Sequence, residues 1–526
     1  MKYFSILSLI CLGLISCQKT KHPVSVVIND TIALSPIDAV SAIAFDSLLL
    51  KDKSAELQRF YRYNQFKTVW AEESNRKALI ESIEKIHEDG LTDRPYDLAR
   101  LKQNNDGYIK IADVEKIHTD LMFSESFFKL SNDLYNGRLD PKKLYTDWDL
   151  DPKKINTGAT MHVALENNAI AQSLDSLRPK NAIYNGLRAA LSRLRELPDE
   201  TFDEFGTGRK IKRNDSLPEI VELKKRLIYW GDLKPEEHSA RFNAETEAGL
   251  KRFQGRNGLD ETGLLDKETV STLNQTKAQK ISQILANLER WRWYPRDLGT
   301  DYVLVNIPDY SLVAVSNGDT IQRHKVIVGK PARKTPILSS KFSGLVINPT
   351  WTVPPTILKN DLTPAATKNR GYFASRGFTI YDNKGQVVSA QDWNPERASS
   401  YRYVQKPGNS NSLGRIKFDF KNNHMVYLHD TNNTNNFNKD DRDLSSGCIR
   451  VQNPFDLADY ILKTEKNPYT KAKIEAMLKT EKTQGIPLKK SVQIHQFYWT
   501  AWNSKEGIQF RTDIYHLDDD LAAKLL

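Results

Sequence analysis

The sequence predicts a multi-domain α+β protein with a helical N-terminal scaffold, a small three-helix module, and a mainly β C-terminal domain carrying a capping insertion. Three observations predict it. At 526 residues the chain exceeds what one hydrophobic core usually serves. Up to about residue 290, apolar residues recur at three- and four-residue spacing, the period of a helix with one buried face. After about residue 300 the apolar runs become short, β-branched and punctuated by Gly, Asn and Pro, which is the pattern of many short strands.

The N-terminus is an export segment. Lys2 precedes an almost wholly apolar stretch, Phe4 to Ile15, and residues 1–16 read as a lipoprotein-type signal peptide. The tetrad Leu14-Ile15-Ser16-Cys17 resembles a bacterial lipobox, which makes Cys17 the candidate lipidation site; a plain secretory signal with an incidental cysteine is the alternative. Residues 17–41 are polar and Pro-containing, as a tether is. The expected location is the periplasmic side of the cell envelope, with the chain lipid-anchored to a membrane. No later run of 18 apolar residues suggests a spanning helix. Of three cysteines, Cys11 leaves with the signal and Cys17 is capped, so Cys448 remains as the one thiol and no intrachain disulfide can form. The formal charge of +10 is spread among 66 acidic residues, which argues against a nucleic-acid partner.

Residues 42–236 read as a helical scaffold domain. Tyr184, Leu187, Leu191 and Leu194 form one apolar stripe on a helix ending before Pro198, and Leu57–Trp70 and Phe123–Leu134 have similar spacing. Residues 237–277 form a second unit. There a short helix over Ala244–Gln254 puts Leu250 and Phe253 on one side, Asn257-Gly258 turns the chain, Leu259 is a core candidate, and Asp266 caps a helix carrying Val270 and Leu273. A linker helix is expected over 278–299. Residues 300–526 form the β domain: runs at Tyr302–Ile307, Leu312–Val315, Lys325–Gly329, Gly344–Ile347, Met425–Leu428, Val492–Trp499 and Ile508–Arg511, with Asn317-Gly318 as a hairpin turn. The pattern loosens over about 359–410, read as an insertion able to cover a site, with short helical pieces near Ala374 and Ala398.

The chemistry concentrates in Tyr427-Leu-His429-Asp-Thr431 and Leu444-Ser-Ser-Gly447-Cys448-Ile-Arg450. A free thiol with a pKa near 8.5 is mostly protonated at neutral pH, so a cysteine nucleophile needs a base. His429, nineteen positions before Cys448 at the end of a strand, is that base. Gly447 permits a tight turn that aims successive N–H groups at one point, which makes the Gly447 and Cys448 N–H groups the oxyanion-hole candidates. Asn453-Pro454 starts a helix after the site, with Asn453 as N-cap. Arg450 is placed to meet a substrate carboxylate or to brace the loop, and Tyr427 shares a strand face with His429, either to contact substrate or to pack. Ser446 is a further substrate-binding candidate. No metal site and no cofactor are expected.

The order His, then Ser-x-Gly-Cys-x-Arg, resembles the L,D-transpeptidase family with the YkuD-type catalytic domain. Asn287–Tyr294, Val328–Pro336, Asn348–Pro355 and Leu413–Phe418 extend the resemblance to the large Gram-negative members, and residues 237–277 resemble the small peptidoglycan-binding module. In that module the usual Asp-Gly pair is Thr262-Gly263, and a later Gly is Asp266. Asp430 stands where many smaller relatives have Gly after the histidine. The resemblance implies transfer of a tetrapeptide's third-residue acyl group through a Cys448 thioester, with release of D-alanine and formation of a 3→3 cross-link. It implies peptidoglycan stem peptides and glycan as partners, no metal, and resistance to most penicillins but not to many carbapenems. It also places Trp351, Asn348 and Tyr427 at the substrate cleft. Water in place of the acceptor amine makes the same residues an L,D-carboxypeptidase or endopeptidase; a non-catalytic wall-binding lipoprotein is the remaining alternative.

Overall fold

The computed structural model describes residues 36–37, 41–199, 202–206, 211–235, 239–489 and 492–525. The expected signal peptide and Cys17 lie outside the described residues. The chain divides into two compact units, the first from the described residues of 1–84, 94–134 and 154–178, the second from 85–93, 135–153 and 179–526.

The first unit is helical. Ser54 accepts a hydrogen bond from the Leu57 N–H to start the helix Ala55–Tyr63, and Asn156 does the same from Ala159 for Thr157–Glu166. Tyr61, Trp70, Phe123 and Phe127 are buried in its core. Among them Asp120 accepts the backbone N–H groups of Val69 (2.8 Å) and Trp70 (2.7 Å), so a buried carboxyl holds the entry to the Glu73–Glu84 helix. Burial pushes that carboxyl up to about 6, against the hydrogen bonds that lower it.

In the second unit the strands in chain order are β1 (Trp148–Asp149), β2 (Asp301–Asn306), β3 (Ser311–Ser316), β4 (Asp319–Ile327), β5 (Ile337–Ile347), β6 (Trp351–Thr352), β7 (Phe378–Tyr381), β8 (Val387–Val388) and β9 (Arg402–Gln405). They continue as β10 (Ile416–Phe420), β11 (Leu428–His429), β12 (Ile449–Val451), β13 (Gln484–Pro487), β14 (Gln493–Phe497), β15 (Ala501–Ser504) and β16 (Gly507–Phe510). Ten of these make one sheet in the order β1-β5-β10-β11-β12-β4-β3-β2-β14, with β13 beside β5 and β14 pairing back onto β5, so the sheet closes on itself. Asn317 and Gly318, at φ 50° and 88°, form the two-residue turn between β3 and β4. The run Met425–Leu428 is not a strand throughout: Met425 is left-handed (φ 55°) and exposed, and pairing begins at Leu428.

The helix Lys277–Trp293 is no spacer. Every residue from Ile284 to Trp293 is buried, and its charges are paired inside: Arg292 Nε donates to Glu289 at 2.9 Å, and Arg290 meets Asp518 at 2.5 Å. It is the central helix of the unit, because buried charge is tolerated only where each group finds a partner. The stripe Tyr184–Leu194, expected in the scaffold, belongs to this same core with Trp148, Trp291 and the β-sheet interior. The small module also begins earlier than residue 237. Ile220, Leu223 and Leu227 of the helix Pro218–Tyr229 share a core with Leu250, Phe253 and Leu273, so this is the third helix of the bundle. Leu259 is half-buried rather than core.

The insertion has a sheet of its own, β6-β9-β7-β8, which starts at Trp351, earlier than expected. Short helices at Gly371–Ser375 and Pro395–Ser400 fall near Ala374 and Ala398, and Leu362, Phe373, Trp393 and Tyr403 fill a small separate core. Its apolar residues are too few and too scattered for a strand period to stand out in sequence.

Candidate active site

The parallel pair β11–β12 builds the centre. Leu428 stands opposite Ile449 and His429 opposite Arg450, which puts Tyr427 level with Cys448 one step earlier. Period two then sends Tyr427 and His429, Cys448 and Arg450 to the same face. All four line one cavity of about 700 Å³. The Tyr427 and His429 rings are 5.7 Å apart, edge to face.

The turn before Cys448 is closed by its own side chains. The Ser445 hydroxyl donates to the Cys448 carbonyl at 2.6 Å and accepts the Gly447 N–H at 3.1 Å. Gly447 sits at φ 110°, and a Cβ there would lie 3.2 Å from the Lys334 carbonyl oxygen, so both conformation and space call for glycine. Its carbonyl accepts from Thr335 Oγ1 at 2.9 Å, and Thr335 N–H in turn donates to the Tyr515 hydroxyl at 3.0 Å. The Gly447 N–H is engaged within the turn, with the Ser445 hydroxyl. The Cys448 N–H makes no hydrogen bond among the described residues.

The dyad is neutral at rest. Burial, then the charge of Arg450 across the strand pair, push His429 down to about 3, while backbone carbonyls of Asp430 and Leu413 partly oppose this. Nδ1 lies 2.5 Å from the Asp430 carbonyl oxygen. A carbonyl can only accept, so such a partner orients the ring and leaves the other nitrogen's lone pair free to take a proton. Burial also pushes the Cys448 thiol up, against hydrogen bonds from the Tyr427 backbone and hydroxyl and the charges of Lys417 and Arg450. A protonated thiol and an unprotonated imidazole lining one cavity are of the types that general-base attack uses.

The surrounding candidates divide. Tyr427 does more than pack, since its hydroxyl bonds to the Cys448 side chain and to Trp351, and burial holds that hydroxyl well above its ordinary pKa. Trp351 lines the cavity. Arg450 Nε is buried with no hydrogen-bond partner, which leaves the guanidinium open toward a ligand and weakens the bracing alternative. Ser446 is exposed and accepts from Arg333 Nη1 at 2.8 Å, and Arg333 is also paired with Asp361 of the insertion. Asn348 is a correction. It is fully buried, its amide donates to the Met477 and Leu478 carbonyls at 3.1 and 3.2 Å, its Oδ1 accepts from Arg415 at 2.8 Å, and it does not line the cavity. Asn453 is the N-cap with Pro454 following it, as expected, but it is left-handed (φ 50°) and its side chain makes no capping bond.

Family comparison covers most of this chain. Residues 300–478 match the L,D-transpeptidase catalytic domain, 55–191 the Scaffold domain, and 216–273 the "Putative peptidoglycan binding domain". Residues 300–478 form an L,D-transpeptidase catalytic domain. Among curated proteins, one from Haemophilus influenzae named "Putative L,D-transpeptidase" is 35% identical over 262 residues, 48% of this chain. The match spans 53% of that relative's length, about half. L,D-transpeptidase structures from Xylanimonas cellulosilytica and Stackebrandtia nassauensis align at 11% and 13% identity, over 56% and 55% of this chain and 99% and 94% of theirs. Their TM-scores are 0.17 and 0.21.

Four residues around the cavity, Lys417, Arg333, Thr146 and Asp147, were not among the sequence candidates. Lys417 of β10 stands opposite His429, its ammonium 4.3 Å over the Tyr427 ring; alternation along Ile416–Phe420 is the signal that could have found it. Arg333 ties the turn before Cys448 to the insertion. Thr146 and Asp147 line the cavity from a segment far upstream, for which no local signal exists. Among the described residues, no group of three or more His, Cys, Asp or Glu side chains is placed to hold a metal, and no helix is long and apolar enough to cross a membrane.

Proposed function

We propose that the chain is an L,D-transpeptidase that forms 3→3 cross-links between peptidoglycan stems through a Cys448 thioester. His429 takes the thiol proton as sulfur attacks the carbonyl of the donor's third residue. The Cys448 N–H stabilises the oxyanion, and the proton passes to the departing amine of D-alanine. An acceptor amine then attacks the thioester, forming C–N and breaking C–S, and its proton returns through His429 to sulfur. Arg450 meets a donor carboxylate. The observation that supports this reading most is that a neutral imidazole and a lone thiol line one cavity in a domain of this family. The same reading has the chain anchored through Cys17 on the periplasmic side of the envelope.

The test incubates the full chain with disaccharide tetrapeptide and resolves products by mass spectrometry. Released D-alanine with a cross-linked dimer is the expected result. Tripeptide with no dimer sinks cross-linking in favour of carboxypeptidase activity. Full activity in Cys448→Ala overturns the nucleophile.

A further inference from the structure

One element of the cavity is unaccounted for by acyl transfer alone. β1 adds to β5 in parallel, Trp148 opposite Ile337 and Asp149 opposite Leu338, and the Ile337 N–H donates to the Asp147 carbonyl at 2.9 Å. Trp148 is buried and stacks on Tyr294, ring centroids 5.7 Å apart and 5° from parallel. The Tyr145 hydroxyl donates to the Leu517 carbonyl at 3.2 Å. The segment is thus fastened by main chain, indole and phenol, and it delivers Thr146 and Asp147 into the cavity of Cys448 and His429.

The charges in that cavity are unequal. Its cations are Arg333, Lys334 and Arg450, and Asp147 is the one carboxylate among the described residues that line it. The neighbouring acids are spoken for: Asp149 pairs with His424 at 3.2 Å and Asp361 with Arg333. Asp147 is half-buried, and its carboxylate makes no ion pair or hydrogen bond among the described residues. An unpaired carboxylate lining the same cavity as a thioester-forming cysteine, where the other charged groups are cationic, is complementary to one reactant class: a primary amine that arrives as its ammonium.

We propose that Asp147 binds the ammonium of the acceptor amine and thereby sets transfer to amine over hydrolysis by water. This rests on the reading given under Proposed function and names the residue that selects the second substrate. The bound ammonium gives one proton to solvent. The free amine then forms the C–N bond as C–S breaks, and its second proton passes through His429 to the Cys448 thiolate. Asp147 binds and positions; it takes no part in the first half-reaction.

The experiment compares the full wild-type chain with Asp147→Asn on disaccharide tetrapeptide, which serves as both donor and acceptor. It reads the initial rate of D-alanine release and the ratio of cross-linked dimer to tripeptide. A charge-assisted contact of this kind is worth about tenfold or more, so the dimer-to-tripeptide ratio falls about tenfold in Asp147→Asn, with the acceptor KM raised. The first-turnover burst of D-alanine, which precedes acceptor attack, reports formation of the acyl-enzyme separately, and Asp147→Glu restores the ratio in part. Asp147→Ser is a second charge-free variant should the first fail to fold. A ratio unchanged while D-alanine is still released overturns the assignment and leaves the parent reading intact. No D-alanine from the wild-type chain overturns both.

Discussion

Protonating His429 carries a calculable cost. Its imidazole sits at about 3 in the fold because it is buried and faces Arg450, against an ordinary value of 6.5 in the unfolded chain. A group whose folded pKa is depressed contributes stability that is fully present above the unfolded value and is lost as pH falls toward the folded one, here from 6.5 down to about 3. At pH 5 the unfolded imidazole has gained its proton and the folded one has not, which costs about 2 kcal/mol at 1.36 kcal/mol per unit. Urea unfolding of the wild type and His429→Gln at pH 8 and pH 5 measures it: the wild type loses about 2 kcal/mol more than the variant on acidification. Histidine-selective ¹³C NMR gives the direct check, with the resonance absent from His429→Gln staying neutral at pH 5. Equal acid losses in both proteins, or a His429 titration near 6.5, would refute the neutral dyad and with it the general-base order of events.

Removing the positive charge in Lys417→Met shifts the pH profile of Cys448 alkylation to higher pH, because the ammonium now favours the thiolate; Lys417→Arg holds the profile in place. Gly447→Ala forces a side chain onto φ 110° and against the Lys334 carbonyl, costing about 1–3 kcal/mol, read as a lower melting temperature together with slower alkylation of Cys448. Arg292→Met strips the partner from the buried Glu289 carboxylate and lowers stability by about 3–5 kcal/mol in urea unfolding, more than the loss of packing alone.

Local sequence suffices to name Cys448 and His429 as candidates. Ser445-Ser-Gly447-Cys448 is a turn whose constraints lie within four residues, where Ser445 closes the loop and Gly447 supplies φ 110°, so residue types and spacing suffice to name it. The alternation of β2 to β4 and the cap at Asp266 are legible for the same reason. Pairings between distant segments are not. Nothing near Asp147 signals that β1 will lie on β5, about 300 positions before Cys448. Asn348 reads as a cleft residue until its amide is seen holding Met477 and Leu478. The helix Lys277–Trp293 reads as a linker because Arg290 and Arg292 look solvent-facing until Asp518 meets the one and Glu289 and Asp89 the other.

By itself the sequence named the candidate nucleophile, base and turn, since these are read from residue type and short-range backbone geometry. Only the tertiary structure decided their charge state and their company. Burial and the Arg450 and Lys417 charges keep the imidazole unprotonated, and strand addition from far upstream brings the lone carboxylate to the cavity. Desolvation and long-range pairing depend on what the rest of the chain packs around a residue, and no local period records that.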